Sequence, residues 1–163
     1  KGLPIEEEEG APKAVVPKHL TGKDAEVYKL GHEVYWREAH CVTCHQPNGK
    51  GQANTYPPLA GSDWLDGNDE RLIKLTLHGL QGPIKVNGKQ FGPEQGTPPM
   101  TRFNELITKD EEVAAVLTYV RNSWGNKGPV VKPETVGKIR KQYSKQFLPW
   151  TADALLKEHP LKK

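Results

Sequence analysis

Residues 40–52, HCVTCHQPNGKGQ, hold both cysteines of the chain, Cys41 and Cys44, and His45 directly follows the second. Three chemistries use two cysteines at this spacing: a structural zinc site, a dithiol redox pair, and covalent attachment of haem c. Zinc asks for four tetrahedral ligands, and with no further cysteine it would have to recruit distant histidines. A thioredoxin-type pair follows a strand in an α/β fold, and no alternation of strand and helix surrounds this one. Haem attachment uses all three residues. On one helical turn, positions i, i+3 and i+4 share a face, so Cys41 and Cys44 are set to form thioethers with the two vinyl groups. His45 then presents its imidazole to the iron as proximal ligand.

A six-coordinate iron takes a second ligand, and Met100 is the only methionine. It ends GTPPM, where two prolines stiffen the loop. Thioether ligation favours Fe(II) and raises the potential, which suits an electron carrier. Read instead as core filler, Met100 would leave the iron open or pass the position to His78, in LTLHGL. The simpler reading of His78 is a polar cap near the negative end of a helix dipole. His19, His32, His40 and His159 read as surface or linker residues.

These side chains need elements to position them. Thr21 is a candidate cap for a helix running to about Ala39, with Val27, Leu30, Val34 and Tyr35 recurring on one face. It delivers the chain into Cys41. Residues 46–66 are turn-rich and read as loop. A short helix is expected from Asn68 or Asp69 to Gly79, followed by a small hairpin at Asn87-Gly88. Thr108 and Glu111 form a candidate capping box for a helix with Val113, Val116, Leu117 and Val120 on one face, ending at Gly125. Beyond it lie a proline-bounded linker, a helix over Glu134–Tyr143, and another that Thr151 caps.

At 163 residues the chain suits one domain with extensions. Hydrophobic residues make up 35% and aromatics 7%, and glycine and proline are abundant. Such a composition has little to bury unless a cofactor adds apolar volume. No apolar run approaches a bilayer-spanning length, and the start, KGLPIEEEEG, lacks the pattern of a signal peptide. Charge is uneven: −1 over 1–20, −2 over 21–126 and +6 over 127–163. The leader 1–20 reads as extended. The basic tail reads as a solvated helix face, with an acidic protein face, anionic lipid or nucleic acid as its other possible partners.

The chain resembles the class I cytochromes c over residues 21–126. Beyond the haem motif, Gly31-x-x-x-Tyr35 and Tyr119 in VLTYVRNSW are similar to the glycine and aromatic residues at which that family's terminal helices cross. YPPLAG resembles its proline-containing segment, which makes Pro57 the residue whose carbonyl accepts a hydrogen bond from the proximal histidine. More narrowly, CHQPNGKGQANTYPPLAGSDWLDG, LHGLQGPIKVNGK and VLTYVRNSWGNKGPV resemble cytochrome domains of bacterial periplasmic sugar and alcohol dehydrogenases. Similar domains are fused to copper nitrite reductases and to planctomycete and verrucomicrobial multidomain oxidoreductases. Many relatives set the ligand methionine before Pro-Pro; here it follows Pro98-Pro99.

The resemblance implies an all-α class I cytochrome c fold with a small β-hairpin before the distal ligand, plus N- and C-terminal extensions. It implies one covalent haem c, with Trp64 and Arg71 at its propionates. The implied role is one-electron transfer, not enzymatic catalysis, between a periplasmic oxidoreductase, fused or separate, and a downstream acceptor. Nucleic acid is not an expected partner, and no transmembrane segment is expected within the chain. Export is implied because bacterial haem c is attached outside the cytoplasmic membrane. Two other classes stay open: a haem protein binding a gas or peroxide at an open distal site, and an interaction module in which haem only stabilises the fold. The tail's Phe147, Leu148, Trp150, Leu155 and Leu156 suggest that the extensions wrap the cytochrome or pack it onto a neighbour.

Overall fold

The structure, a computed structural model, describes residues 11–162, so the acidic run Glu6–Glu9 lies outside the described residues. The fold is mostly helical. Helix α1 spans Gly22–Glu33 and continues as one π turn over Val34–Glu38; α2 is Cys41–His45, α3 Asp69–His78 and α4 Asp110–Arg121. Helices α5, Pro133–Gln142, and α6, Ala152–Glu158, lie in the C-terminal segment. Strands are short: β1, Leu80–Gln81; β2, Ile84–Val86; β3, Lys89–Phe91; and β4, Trp150–Thr151. No described helix is long and apolar enough to cross a membrane.

The crossing of α1 and α4 organises the molecule. A methyl group on Gly31 would run into the Ala115 carbonyl oxygen and lie 2.6 Å from Tyr119 Cβ, so only glycine permits this approach. Aromatic rings seal the joint. Tyr28 and Tyr35 lie 5.0 and 5.2 Å from the Tyr119 ring, and Trp124 lies 5.7 Å from it. Val34, Tyr35, Val113 and Ala115 are buried here.

Local chemistry sets the helix ends. Asn68 caps α3 by accepting from the Arg71 backbone N–H, and Gly79, at φ +81°, ends that helix. Thr151 caps α6 through Ala154 N–H. Two expected caps differ. Thr21 precedes α1 in extended conformation, but its hydroxyl makes no capping bond. Helix α4 starts after Lys109, not Thr108, and without a side-chain cap. Its first turn instead carries Asp110, Glu111 and Glu112, which favour the positive end of the helix dipole.

The hairpin turns at Asn87-Gly88, both with positive φ, and pairs Ile84 with Phe91 and Val86 with Lys89. A second pairing has no counterpart in the sequence reading: β1 and β4 run parallel, joining the loop after α3 to the C-terminal segment. That segment packs on the helical body, with Val136, Ile139 and Leu155 fully buried. Of its other apolar residues, Trp150 and Leu156 are half-buried, whereas Phe147 and Leu148 are exposed.

Candidate haem site

A cavity of about 650 Å³ opens inside the helical body, within the size range of cofactor sites. Leu72 of α3 and Val116, Leu117 and Val120 of α4 supply apolar wall, as do Phe103 and Ile107. Cys41, Cys44 and His45 all border it, as their helical spacing predicts, and so does Met100. Pro57 and Trp64 line it too.

The cysteine-bearing turn is held in an unusual backbone. His40 and Gln46, at its two ends, both have positive φ, +51° and +67°. Non-glycine residues adopt such angles only when their surroundings compel them. Tyr35, from the π turn, donates its hydroxyl hydrogen to the Gln46 carbonyl at 2.7 Å and ties the exit of α2 to the α1–α4 joint. Gly49 lies against the Trp124 ring, where no Cβ would fit. The Trp124 indole donates to the Pro47 carbonyl at 2.8 Å.

His45 Nδ1 lies 3.0 Å from the Pro57 carbonyl oxygen. A carbonyl only accepts, so the proton sits on Nδ1 and the Nε2 lone pair is free. Burial holds the His45 pKa below its ordinary value against the opposing pull of that hydrogen bond. Burial also pushes the Cys41 thiol up to about 12. The thioether sulfur that haem attachment leaves carries no charge and suits this buried environment. Among the described residues no group of three or more His, Cys, Asp or Glu is placed to hold a metal ion. The neutral sulfurs, the free imidazole lone pair and the apolar wall fit a covalently attached haem.

Met100 is positioned by residues far from it in sequence. Its N–H donates to the Leu80 carbonyl at 2.9 Å, and its own carbonyl accepts from Leu80 N–H at 3.3 Å. Close approach requires Gly79, because a Cβ there would lie 2.5 Å from the Met100 carbonyl oxygen. Downstream, Phe103 and Asn104 N–H groups donate to the Thr76 and Leu77 carbonyls, satisfying orphan acceptors at the end of α3. Arg140 of α5 binds the Asn104 and Ile107 carbonyls and Asp110, fixing the same segment from outside.

The two residues expected at the propionates are engaged elsewhere. The Trp64 indole N–H donates to the Lys85 carbonyl at 2.7 Å, although the residue borders the cavity. Arg71 is fully buried and lies off the cavity wall. Its guanidinium donates to the carbonyls of Trp64, Asp66, His159 and Pro160, so it joins α3 to the C-terminal segment. His78, the reserve ligand, does not border the cavity either; its buried ring meets Tyr143 and Trp150 edge to face.

One buried group escaped sequence reasoning. Lys74 is 2% exposed, and its ammonium donates to Glu158 at 2.8 Å and to His159 Nε2 at 3.0 Å. It also lies 4.7 Å from the Tyr143 ring centre and 5.5 Å from that of Trp150. Arg71, Lys74 and His78 form one stripe of α3, at the i, i+3, i+7 spacing. Charged residues on a buried stripe demand partners, a signal that says a partner exists without saying which.

A family model described as cytochrome c matches residues 28–124. The chain is 38% identical over 125 residues to cytochrome c-552 of Thermus thermophilus, covering 73% of this chain and 88% of that one. It is 30% identical over 115 residues to the cytochrome c subunit of a quinone alcohol dehydrogenase from Gluconacetobacter polyoxogenes, and 30% over 108 residues to the fructose dehydrogenase cytochrome subunit of Gluconobacter japonicus. Those alignments cover 68% and 63% of this chain but only 22% and 21% of the subunits.

Proposed function

This chain belongs to the cytochrome c family, whose role is electron transfer through covalently attached haem c, and from that premise we propose a His/Met-ligated carrier that passes single electrons from an oxidoreductase to a downstream acceptor. The observation that carries this reading is that Cys41, Cys44, His45 and the chain's only methionine border one apolar cavity. Bound haem supplies one reversible electron at its iron. Cys41 and Cys44 bond it to the chain, and His45 offers Nε2 while Pro57 keeps the ring oriented through Nδ1–H. Met100 offers an uncharged sulfur that favours the reduced state. The wall of Leu72, Val116, Leu117 and Val120 excludes water, which keeps reorganisation on electron transfer small.

The reading extends to partner and place. Leu106 is 62% exposed and lies at the cavity mouth, an apolar contact of the kind a brief redox encounter uses. The proposed partner is the redox protein or fused dehydrogenase domain whose relatives' cytochrome subunits this chain resembles. The proposed location is periplasmic or otherwise exported. Residues 21–126 are the proposed cytochrome unit, with extensions on both sides.

Visible spectroscopy of purified protein tests the ligation. The oxidised protein is expected to show the weak far-red band of a thioether on ferric haem, and Met100→Ala to abolish it and lower the midpoint potential. Absence of the band from intact protein, together with ready binding of carbon monoxide on reduction, would overturn the reading in favour of an open, ligand-binding site.

A further inference from the structure

We propose that the C-terminal segment is the outer support of the loop that carries Met100, with Trp150 as a positioning residue and Lys74 as its anchor. The proposal rests on the reading of Met100 as distal ligand. Leu80 stands between two neighbours. Through its own N–H and C=O it pairs with Met100, and on its other side β1 runs beside β4, where Trp150 N–H donates to the Gly79 carbonyl at 3.0 Å. A single antiparallel bridge is too small to be stable alone, and a third strand is what makes so short a ladder rigid. Trp150 supplies it.

The support is itself fixed on both sides of Trp150. Before it, Tyr143 packs against the Trp150 ring at 5.3 Å, and Arg102 donates to the Phe147 carbonyl at 2.8 Å. After it, Lys74 holds Glu158 and His159, and Arg71 holds the His159 and Pro160 carbonyls. Both cations stand on α3, the helix whose C-terminal carbonyls also receive Phe103 and Asn104. One helix therefore holds the methionine loop twice, directly past Met100 and through the tail beside it. A thioether leaves iron when its loop swings away, so the support sets how often Met100 lets go.

The test is the rate at which imidazole displaces the thioether from oxidised holoprotein, read beside hydrogen exchange of the Leu80 and Met100 amides. Trp150→Pro removes the N–H that Gly79 accepts, and Lys74→Met removes the ammonium while keeping the apolar stem. Trp150→Pro should raise the displacement rate by about three- to tenfold, the factor one lost hydrogen bond is worth, and Lys74→Met, which loses two, by at least as much, each with a matching loss of amide protection. Tyr28→Phe, which removes a buried bond to Ser123 at 2.9 Å on the far side of the fold, should leave both readouts at the wild-type level. A wild-type rate in folded Lys74→Met, or an equal rise in Tyr28→Phe, overturns the proposal. If the ligation reading is the one that fails, wild type will lack the far-red band and bind imidazole as fast as Met100→Ala. Amide exchange then decides alone: lost protection at Leu80 and Met100 upholds the support, and retained protection overturns it.

Discussion

The two flanks of the cavity are built on opposite plans. The flank with Cys41, Cys44 and His45 is one helical turn, closed 12 residues later by the Pro57 carbonyl. The flank with Met100 is a composite of α3, a two-residue strand, a proline-stiffened loop and a tail that returns from the end of the chain. Contiguous sequence makes the first flank stiff, with Tyr35 and Trp124 bracing it from outside. Assembly from distant pieces makes the second adjustable, since its tightness depends on contacts outside the haem motif.

Removing the cofactor's attachment should produce the largest effect. Cys41→Ser with Cys44→Ser leaves an apolar cavity with no covalent occupant, and acidified acetone should then extract haem that wild type retains on a denaturing gel. Cooperative thermal melting should be lost with it. Gly31→Val attacks the α1–α4 joint behind the histidine flank. Overpacking against the Ala115 carbonyl and Tyr119 should cost about 3 kcal/mol, read as a shift of the denaturant midpoint.

Arg71→Met separates the two flanks more finely. It strips donors from four buried or half-buried carbonyls and should destabilise by about 2 kcal/mol. The midpoint potential should stay put, whereas a propionate partner would shift it. Tyr35→Phe unties the exit of the cysteine turn from α1 and should cost about 1 kcal/mol, with the far-red band retained.

The smallest effect is a pH dependence confined to the tail. Burial, then the Lys74 ammonium, holds the His159 pKa below its ordinary value of 6.5; Glu70 and Glu158 oppose this, and Arg71 adds to it. The folded chain thus binds fewer protons here than the unfolded one. Stability from this site is full above about pH 6.5 and falls as pH drops through the folded pKa. Stability measured against pH should lose part of its acid decline in His159→Gln, while His32 and His78, whose burial shifts them the same way, keep their share of it.

The same contrast decides what could be read from the chain. Cys-x-x-Cys-His states its geometry in five letters, because helical spacing converts directly into a shared face. Gly31 and Tyr119 were legible from resemblance, and Asn68, Gly79 and Thr151 from capping chemistry. Arg71 was read through the resemblance as a propionate partner; its four carbonyl partners are backbone atoms, which leave no residue-type signature. The β1–β4 pairing was invisible for a related reason: two residues make no alternating pattern, and parallel neighbours need no hairpin turn between them. At the start of α4, Lys109 stands where Thr108 was expected, and an acidic first turn stands where a hydroxyl cap was expected.

The return of β4 to Leu80 also has a consequence in time. Leu80 and Trp150 stand far apart in sequence, so their pairing carries a loop-closure cost that the cysteine turn, a single helical turn, does not. Until the tail folds back, the methionine loop lacks its outer neighbour. Folding therefore favours an order in which the cysteine turn forms early and the tail closes over the methionine loop late.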